Sequence, residues 1–248
     1  MNRIQHKQGG FTLVEIAIVL VIIGLLLGGI LKGQELINSA RVRNLADMNA
    51  GIQAAYFGFI DRYRQVPGDV NTTNASQAIG TTINGGGDDN GRLDGGWSEA
   101  GAVWEHLSKA GFISGTYQSA GAGVAVDATN YRDNAPSNAF NGAPILYRTS
   151  DYFDPNYALD GTGTAPAERL SLTLGNNIPV NIARELDVKQ DDGLPATGVV
   201  RMTLNAAGLV DFDVLDTGSD NCVEVIAGDS DIWDIATNSQ DCNAVFLY

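Results

Sequence analysis

Residues 9–31 read GGFTLVEIAIVLVIIGLLLGGIL, a long apolar run near the N-terminus. From Phe11 to Leu31 it has 21 residues and one formally charged side chain, Glu15. About 20 apolar residues are needed for an α-helix to cross the hydrocarbon core of a bilayer. A carboxylate at the centre of such a helix costs roughly 2.5–3.5 kcal/mol, so Glu15 needs a functional explanation.

The ten residues before the apolar run, MNRIQHKQGG, are polar and carry Arg3 and Lys7 but no acid. A secretory signal has its small-residue cleavage site after the apolar segment. Here the small pair Gly9-Gly10 precedes that segment. Cleavage after Gly10 would therefore remove only the basic leader and leave the apolar helix on the product. The positive leader also favours a cytoplasmic N-terminus and an exported remainder.

The leader ending in Gly10, followed by Phe11-Thr12-Leu13-Val14-Glu15, resembles the processing site of type IV prepilins and of the pseudopilins of type II secretion. The resemblance extends over residues 1–65. It implies cleavage between Gly10 and Phe11 by a prepilin peptidase, and N-methylation of the new Phe11 amine. It also implies polymerisation of the mature subunit into a helical filament by an inner-membrane assembly platform.

Under this resemblance Glu15 has a specific task. In a staggered bundle of helices, its carboxylate can meet the amine of Phe11 on a neighbouring subunit. Both charges would lie in an apolar environment, where their Coulomb attraction is strong. The alternative is an acid near the membrane surface whose side chain extends to water.

Four glycines, Gly24, Gly28, Gly29 and Gly33, are concentrated at the end of the run, where many relatives have a proline and this chain has Lys32. Each costs up to ~1 kcal/mol of helix propensity relative to alanine. We predict that the helix loosens or extends here in a filament. The alternative is that these glycines allow close contact between helices in the membrane.

Beyond the run, residues 34–66 have apolar side chains at steps of three and four, which predicts one apolar face of a helix. They are Leu36, Ile37, Ala40, Leu45, Met48, Ile52, Ala55, Tyr56, Phe59 and Tyr63. Pro67-Gly68 ends the pattern. A continuous helix over 11–63 would be roughly 80 Å long at ~1.5 Å per residue. Its first half can lie in lipid, and its second half must pack on a globular head.

The head is expected over residues 67–248, after the leader (1–10), the membrane and polymerisation helix (11–33) and the amphipathic half (34–66). Residues 68–100 and 115–141 are predicted to be rich in loops. Helices are predicted over 98–110, with Ser98 as N-cap and Gly111 as C-cap, and over 178–188. Strands are predicted over 143–149, 168–174, 199–204 and 209–214, the last two joined by a hairpin at 205–208. The predicted class is α+β: a long N-terminal helix packed on an antiparallel sheet with long loops.

The segment GGGDDNGRLDGGWSE, residues 85–99, is the candidate calcium site. Calcium takes roughly six to eight oxygen ligands from closely spaced acids, amides and carbonyls on a glycine-containing loop. The candidate ligands are Asp88, Asn90, the Arg92 carbonyl, Asp94 and Glu99. The spacing departs from an EF-hand loop, because with Gly91 as its turn glycine the last ligand position falls on Trp97. The alternative is a solvated turn without a metal.

A second acidic segment, Asp191-Asp192-Gly193, is first of all a turn signal, with metal binding the less favoured alternative. Two cysteines, Cys222 and Cys242, are expected to form a disulfide in an exported domain. Closing that loop contributes on the order of 3 kcal/mol by the loop-entropy estimate. Type IV pilins similarly close a C-terminal loop with a disulfide.

The charge balance argues against nucleic-acid binding. Removal of the leader leaves 13 basic against 29 acidic side chains, whereas nucleic-acid affinity depends on neutralising phosphates. The sequence has no nucleophile elbow, no H-E-x-x-H and no P-loop. His6 leaves with the leader, so His106 is the one histidine of the mature chain. We therefore expect no enzyme activity.

Three functions remain open: a structural subunit of a type IV pilus-like filament, a pseudopilin of type II secretion, or a minor pilin acting as an adhesin or binding module. The expected location is the inner membrane before assembly, then an extracellular filament or a periplasmic pseudopilus. Aromatic side chains at 115–165 could contact a ligand in the third case, although loop aromatics more often anchor packing. They are Tyr117, Tyr131, Tyr147, Tyr152, Phe153 and Tyr157.

Overall fold

The computed structural model describes residues 13–94, 96–119, 131, 134–148, 169–202, 222–224, 226 and 231–248. The chain divides into two compact units, Met1–Ala40 and Arg41–Tyr248. Helix α1 runs over Leu13–Tyr63, 51 residues. The predicted long N-terminal helix is confirmed, and its end lies close to the predicted stop at Pro67-Gly68.

The first unit is described from Leu13 to Ala40, all of it helix α1. Its apolar side chains are exposed throughout, from Leu13 at 88% to Leu31 at 67%. Leu36 and Ile37, which the sequence placed on the buried stripe, are also exposed. The stripe is buried only from Val42 onward, so the predicted packing of Leu36 and Ile37 on the head is wrong for the chain by itself.

The core of the second unit forms around the rest of α1. Val42, Leu45, Ile52 and Phe59 are buried on α1 in one cluster with side chains of the other helices and the sheet. These residues are three or seven positions apart, and seven residues are about two helical turns, so a single face of α1 is apolar and buried. The amphipathic pattern of the sequence is confirmed over this part of the helix.

Helix α2 spans Thr72–Ile79, inside a segment that the sequence predicted to be loop. Asn71 caps its N-terminus, since its side-chain oxygen accepts a 2.9 Å hydrogen bond from the Asn74 amide. Gly80 ends it in the left-handed conformation at φ 82°. The loop prediction is wrong here. A helix of 8 residues with few apolar side chains has no clear apolar periodicity in the sequence, so only its capping residues indicate it.

Helix α3 spans Trp97–Lys109, close to the predicted 98–110. Its N-cap is Gly96, so Ser98 lies in the first turn and is not the cap. Gly111, with φ 80°, follows the C-cap residue Ala110. Helix α4 spans Val180–Gln190, again close to its predicted position.

In the described residues the larger sheet is made of β1 (Ile145–Arg148), β2 (Leu170–Thr173), β3 (Val200–Met202) and the C-terminal strand β6 (Ala244–Leu247). These four strands are antiparallel and lie in the order β1-β2-β6-β3. A second, two-stranded sheet pairs β4 (Val223–Glu224) with β5 (Ile232–Trp233). The α+β prediction is confirmed, while the predicted strand 209–214 and hairpin 205–208 lie outside the described residues.

The register of the larger sheet sets one row of apolar side chains against the core. Leu146 faces Leu172, Leu172 faces Phe246, and Phe246 faces Val200 across the four strands. All four residues are buried. Side chains directly opposite one another on antiparallel strands are the main packing unit of a sheet. The C-terminal strand β6 is therefore central to the head, although the sequence analysis did not predict it.

Candidate functional site

The first candidate site is the apolar arm, which we define as Leu13–Leu31 of α1. By length and composition α1 can cross a membrane, and none of its most apolar segment is buried in the chain. Gly24, Gly28 and Gly29 lie within unbroken helix, and open space surrounds each position where a Cβ would lie. The arm thus presents apolar surface on all its sides, which only lipid or other protein can cover.

Glu15 lies in the first turn of α1 and is exposed. An acid in the first turn interacts favourably with the positive end of the helix dipole. The predicted cleavage and methylation positions, Gly10 and Phe11, lie outside the described residues. The structure therefore fixes the place of Glu15 on the helix and leaves its pairing with Phe11 a prediction.

The second candidate site is the acidic loop, which we define as residues 85–94. Of the predicted ligands, the structure brings Asp88 and Glu99 together, and it adds Asp69, which the sequence analysis missed. One carboxylate oxygen from each of these three residues lies within 4.8 Å of the others. Asp69 follows the end of α1 and Glu99 lies on α3, so the cluster joins three separate segments of the chain.

Asn90, Asp94 and the backbone of Arg92 take part in hydrogen bonds that hold the loop together. Asn90 donates from its side chain to Asp94 Oδ1 at 2.9 Å, and its Oδ1 accepts from the Arg92 amide at 2.8 Å. The Asp94 amide donates to Glu99 Oε2 at 2.9 Å. These hydrogen bonds close the loop over α3 and place Glu99 at its base.

Asp69 is buried, at 2% exposure, and receives two backbone N–H groups of the loop. The amides of Asn90 and Gly91 donate to its Oδ1 and Oδ2 at 3.0 and 2.8 Å. Burial raises the pKa of Asp69, the two amides oppose that shift, and the nearby charges of Asp88 and Asp89 add to it. A cation at this cluster would offset the repulsion between the carboxylates.

Gly87 allows the close approach of the loop to Asp69 and Glu99. A Cβ at this position would lie 2.3 Å from Glu99 Oε1 and 2.6 Å from the Asp69 carbonyl oxygen. A glycine is therefore required by packing at position 87, because no larger residue fits between the loop and these two acids.

Two buried residues of α3 hold the start of the acidic loop. Glu105 accepts from the amides of Asn84 and Gly85 at 3.0 and 2.9 Å, and from Lys109 Nζ at 2.7 Å. Burial raises the pKa of Glu105, but Lys109 and the two amides outweigh this, so the pKa is lowered. Neither role was predicted, because the partners lie about twenty positions apart in the chain.

His106 is the second of these residues. Its Nδ1 accepts from the Gly68 amide at 2.9 Å, and its Nε2 lies 3.0 Å from the Gly85 carbonyl oxygen. The ring is therefore neutral with the proton on Nε2, as assigned from these partners. Its two nitrogens connect the end of α1 to the acidic loop, which is a structural role.

The second acidic segment lies between α4 and β3. Carboxylate oxygens of Asp187, Asp191 and Asp192 lie within 4.8 Å of one another. Asp192 accepts from the Leu194 amide at 2.9 Å and from Thr197 Oγ1 at 2.5 Å. Asp191 accepts from the amides of residues 199 and 200 at the start of β3. These bonds give Asp191 and Asp192 the turn-forming function that the sequence favoured.

The third feature is the disulfide between Cys222 and Cys242, with an S–S distance of 2.03 Å. Both cysteines are buried in the main core. Cys242 also pairs with Ile178 in an antiparallel bridge. The disulfide thereby connects Cys222, the residue before β4, to the segment that leads into the central strand β6.

The aromatic side chains considered for ligand contact pack inside the head where the structure describes them. Tyr131 and Tyr147 are 2% and 1% exposed. Tyr131 accepts from Trp104 Nε1 at 2.6 Å and donates to the Pro144 carbonyl at 2.5 Å. Tyr117 is half-buried against the core. Tyr152, Phe153 and Tyr157 lie outside the described residues, so the packing interpretation holds for the three described tyrosines.

Together these features define a class of protein: an α+β head on a long helix whose N-terminal arm is apolar on all sides. The model of the prokaryotic N-terminal methylation motif matches residues 5–31. This motif is the prepilin signal of type IV pilins and pseudopilins, and the chain carries it on the leader and the apolar arm. Neither the curated proteins nor the solved structures contain a match to the chain.

Proposed function

We propose that the chain is a structural subunit of a type IV pilus-like filament. A prepilin peptidase removes residues 1–10, and the new amine of Phe11 is N-methylated. Before assembly the subunit remains in the inner membrane with its N-terminus on the cytoplasmic side. An assembly platform moves it from lipid into a helical homopolymer outside that membrane.

One observation carries this proposal: the match to the methylation motif includes the apolar arm, whose side chains are exposed all round. Burying one Leu or Ile side chain contributes roughly 1.5–3 kcal/mol. The arm has many such side chains, so it cannot remain in water. Lipid covers it before assembly, and the arms of other subunits cover it afterwards.

Glu15 sets the register of the polymer under this proposal. It lies in the first turn of α1, and we propose that it meets the N-terminus of a parallel neighbour. The methylated amine of Phe11 on that neighbour carries a positive charge, so the two groups form an ion pair in an apolar environment. Removing one member of a buried pair is strongly destabilising, because the other charge loses its compensation.

The head forms the outer surface of the filament. Its disulfide fits export to an oxidising compartment. The excess of acidic over basic side chains keeps such a surface soluble. A pseudopilin of type II secretion would use the same processing and the same arm in a short periplasmic filament. The location of the filaments separates these two functions, since surface pili can be sheared from intact cells.

The test compares Glu15→Ala with Glu15→Asp in cells that produce the peptidase. We expect the alanine variant to be cleaved after Gly10 and to stay in the membrane, with sheared filaments lost. The aspartate variant keeps the charge and should retain part of the filament yield. N-terminal sequencing and mass spectrometry of wild-type filaments should show methylated Phe11 as the first residue. Normal filaments from Glu15→Ala would refute the proposal.

A further inference from the structure

Arg43 and Asp47 are exposed on the side of α1 that faces away from the core of the head. With Ala50, Ala54, Phe57 and Asp61 they form what we call the outward face, all of it exposed. Among the residues that the structure describes, Arg43 and Asp47 have no ion-pair partner. They do not pair with each other either, although they are four positions apart on one helix.

The order of the two charges explains why they do not pair within the helix. Pairs at four-residue spacing stabilise a helix best when the acid precedes the base. Here the base precedes the acid, which is the less favourable order. Arg43 and Asp47 are therefore better placed to pair between copies than within one copy.

The same spacing and sign order occur at the start of the mature chain. The positive amine of Phe11 precedes the carboxylate of Glu15 by four residues, as Arg43 precedes Asp47. Among the charged side chains of α1, no other base is followed by an acid four positions later. The inference that follows rests on the proposed function, in which Glu15 pairs with the Phe11 amine of a parallel neighbour.

That pairing offsets two parallel helices by four residues, or ~6 Å along the axis. Position n of the copy that contributes Phe11 then lies level with position n+4 of the copy that contributes Glu15. Applied along α1, this offset places Arg43 of the first copy level with Asp47 of the second. We propose that these two side chains form a repeated ion pair between neighbouring copies in the filament, a second contact in the register that Glu15 sets.

The rest of the helix is compatible with this offset. Ala50 of one copy lies level with Ala54 of the other, and small side chains allow two helices to approach closely. No like charges become level: Arg41 meets Leu45, and Asp61 meets Gln65. An offset of four residues therefore adds one attraction on α1 and introduces no repulsion between charged side chains at equal height.

The test is a charge swap, measured as the yield of sheared filaments relative to processed subunit in the membrane. Arg43→Asp and Asp47→Arg each place like charges level and should lower the yield roughly three- to five-fold. The double variant Arg43→Asp/Asp47→Arg places opposite charges level again and should recover part of the yield; recovery is partial because the acid now precedes the base, which also favours pairing within one helix. The matched control is Asp61→Arg, which lies on the same outward face but has no charged residue at the four-residue offset.

The charge-swap variants distinguish the proposed ion pair from a purely structural role of Arg43 and Asp47. Together with Glu15→Ala they also distinguish a failure of this inference from a failure of the proposed function. If both single variants lose filament yield and the double variant recovers none of it, the proposed ion pair is overturned. A wild-type filament yield in either single variant would overturn it as well. If Glu15→Ala abolishes filaments while the Arg43 and Asp47 variants assemble normally, only the second contact fails. If Glu15→Ala assembles normally, the proposed function itself fails.

Cross-linking gives an independent readout of the register. Cells that produce Arg43→Cys and Asp47→Cys subunits together should form a mixed disulfide-linked dimer in filaments after mild oxidation. The pair Arg43→Cys and Asp61→Cys is the control, because it requires an offset of eighteen residues. Equal cross-linking in both mixtures would overturn the four-residue register.

Discussion

Trp233 donates a 2.7 Å hydrogen bond from its indole Nε1 to Oδ2 of Asp187. The bond connects β5, which pairs with β4 beside Cys222, to helix α4. Both residues are buried. Burial raises the pKa of Asp187 to about 6; hydrogen bonds from Trp233 and Gly193 oppose the shift, and Asp192 and Asp191 add to it.

The raised pKa of Asp187 predicts a specific pH dependence of stability. The folded state holds the proton more tightly than the unfolded state, so this contribution is complete below about pH 4 and is lost as pH rises through about 6. We expect Asp187→Asn to remove a pH-dependent difference on the order of 2 kcal/mol. The measurement is the melting temperature of purified protein in detergent from pH 4 to 7.5, and parallel curves for wild type and variant would contradict it.

His106 predicts the opposite pH dependence. Burial lowers the pKa of His106 below its usual 6.5, so its contribution is complete above pH 6.5 and is lost as pH falls. His106→Leu leaves the Gly68 amide and the Gly85 carbonyl without their ring partners, which should cost about 1–3 kcal/mol at pH 7.5. The difference in unfolding free energy between His106→Leu and wild type should become smaller at lower pH.

The control for His106→Leu is Gln77→Leu, which places the same side chain at an exposed position of α2. Its unfolding free energy should stay close to that of wild type. A difference between His106→Leu and wild type that stays constant from pH 7.5 to 5 would show that protonation of the ring does not matter.

The parts of the structure that the sequence predicted are those that depend on local pattern. The apolar run and the three- and four-residue stripe predicted α1, and two cysteines in an exported domain predicted the bridge. The bond between Asp187 and Trp233 joins residues 46 positions apart, and nothing near either residue indicates the other. Asp69 was missed for the same reason: it lies outside the Gly-Asp segment and reaches Asp88 only when α1 ends and the chain turns back.

The disulfide should contribute strongly to the stability of the head. Its cysteines are 20 positions apart, and closing such a loop contributes on the order of 3 kcal/mol. We expect the double variant Cys222→Ser/Cys242→Ser to melt at a lower temperature than wild type. Reductant should lower the melting temperature of wild type and leave that of the double variant unchanged. If reductant lowered the melting temperature of both proteins equally, the stabilisation would not come from this disulfide.

The acidic loop predicts a response to calcium that depends on Asp69. Burial, with a smaller contribution from the charges of Asp88 and Asp89, raises the pKa of Asp69. With Asp69, Asp88 and Glu99 clustered, a bound cation would offset both effects. We expect calcium to raise the melting temperature and a chelator to reverse this. Asp69→Asn should abolish the response, whereas Asp61→Asn on the exposed face of α1 should keep it.

A comparison of Asp69→Asn with Asp94→Asn distinguishes the two sets of ligands. The sequence pattern alone makes Asp94 a ligand and gives Asp69 no role. In the structure Asp94 accepts a hydrogen bond from Asn90, while Asp69 faces the other carboxylates. Loss of the calcium response in Asp69→Asn with retention in Asp94→Asn supports the structural set, and the reverse supports the pattern. The calcium response should also weaken as pH falls, because protonation of Asp69 removes a ligand charge. If the melting temperature of wild type is the same in calcium and in chelator, the calcium site is excluded.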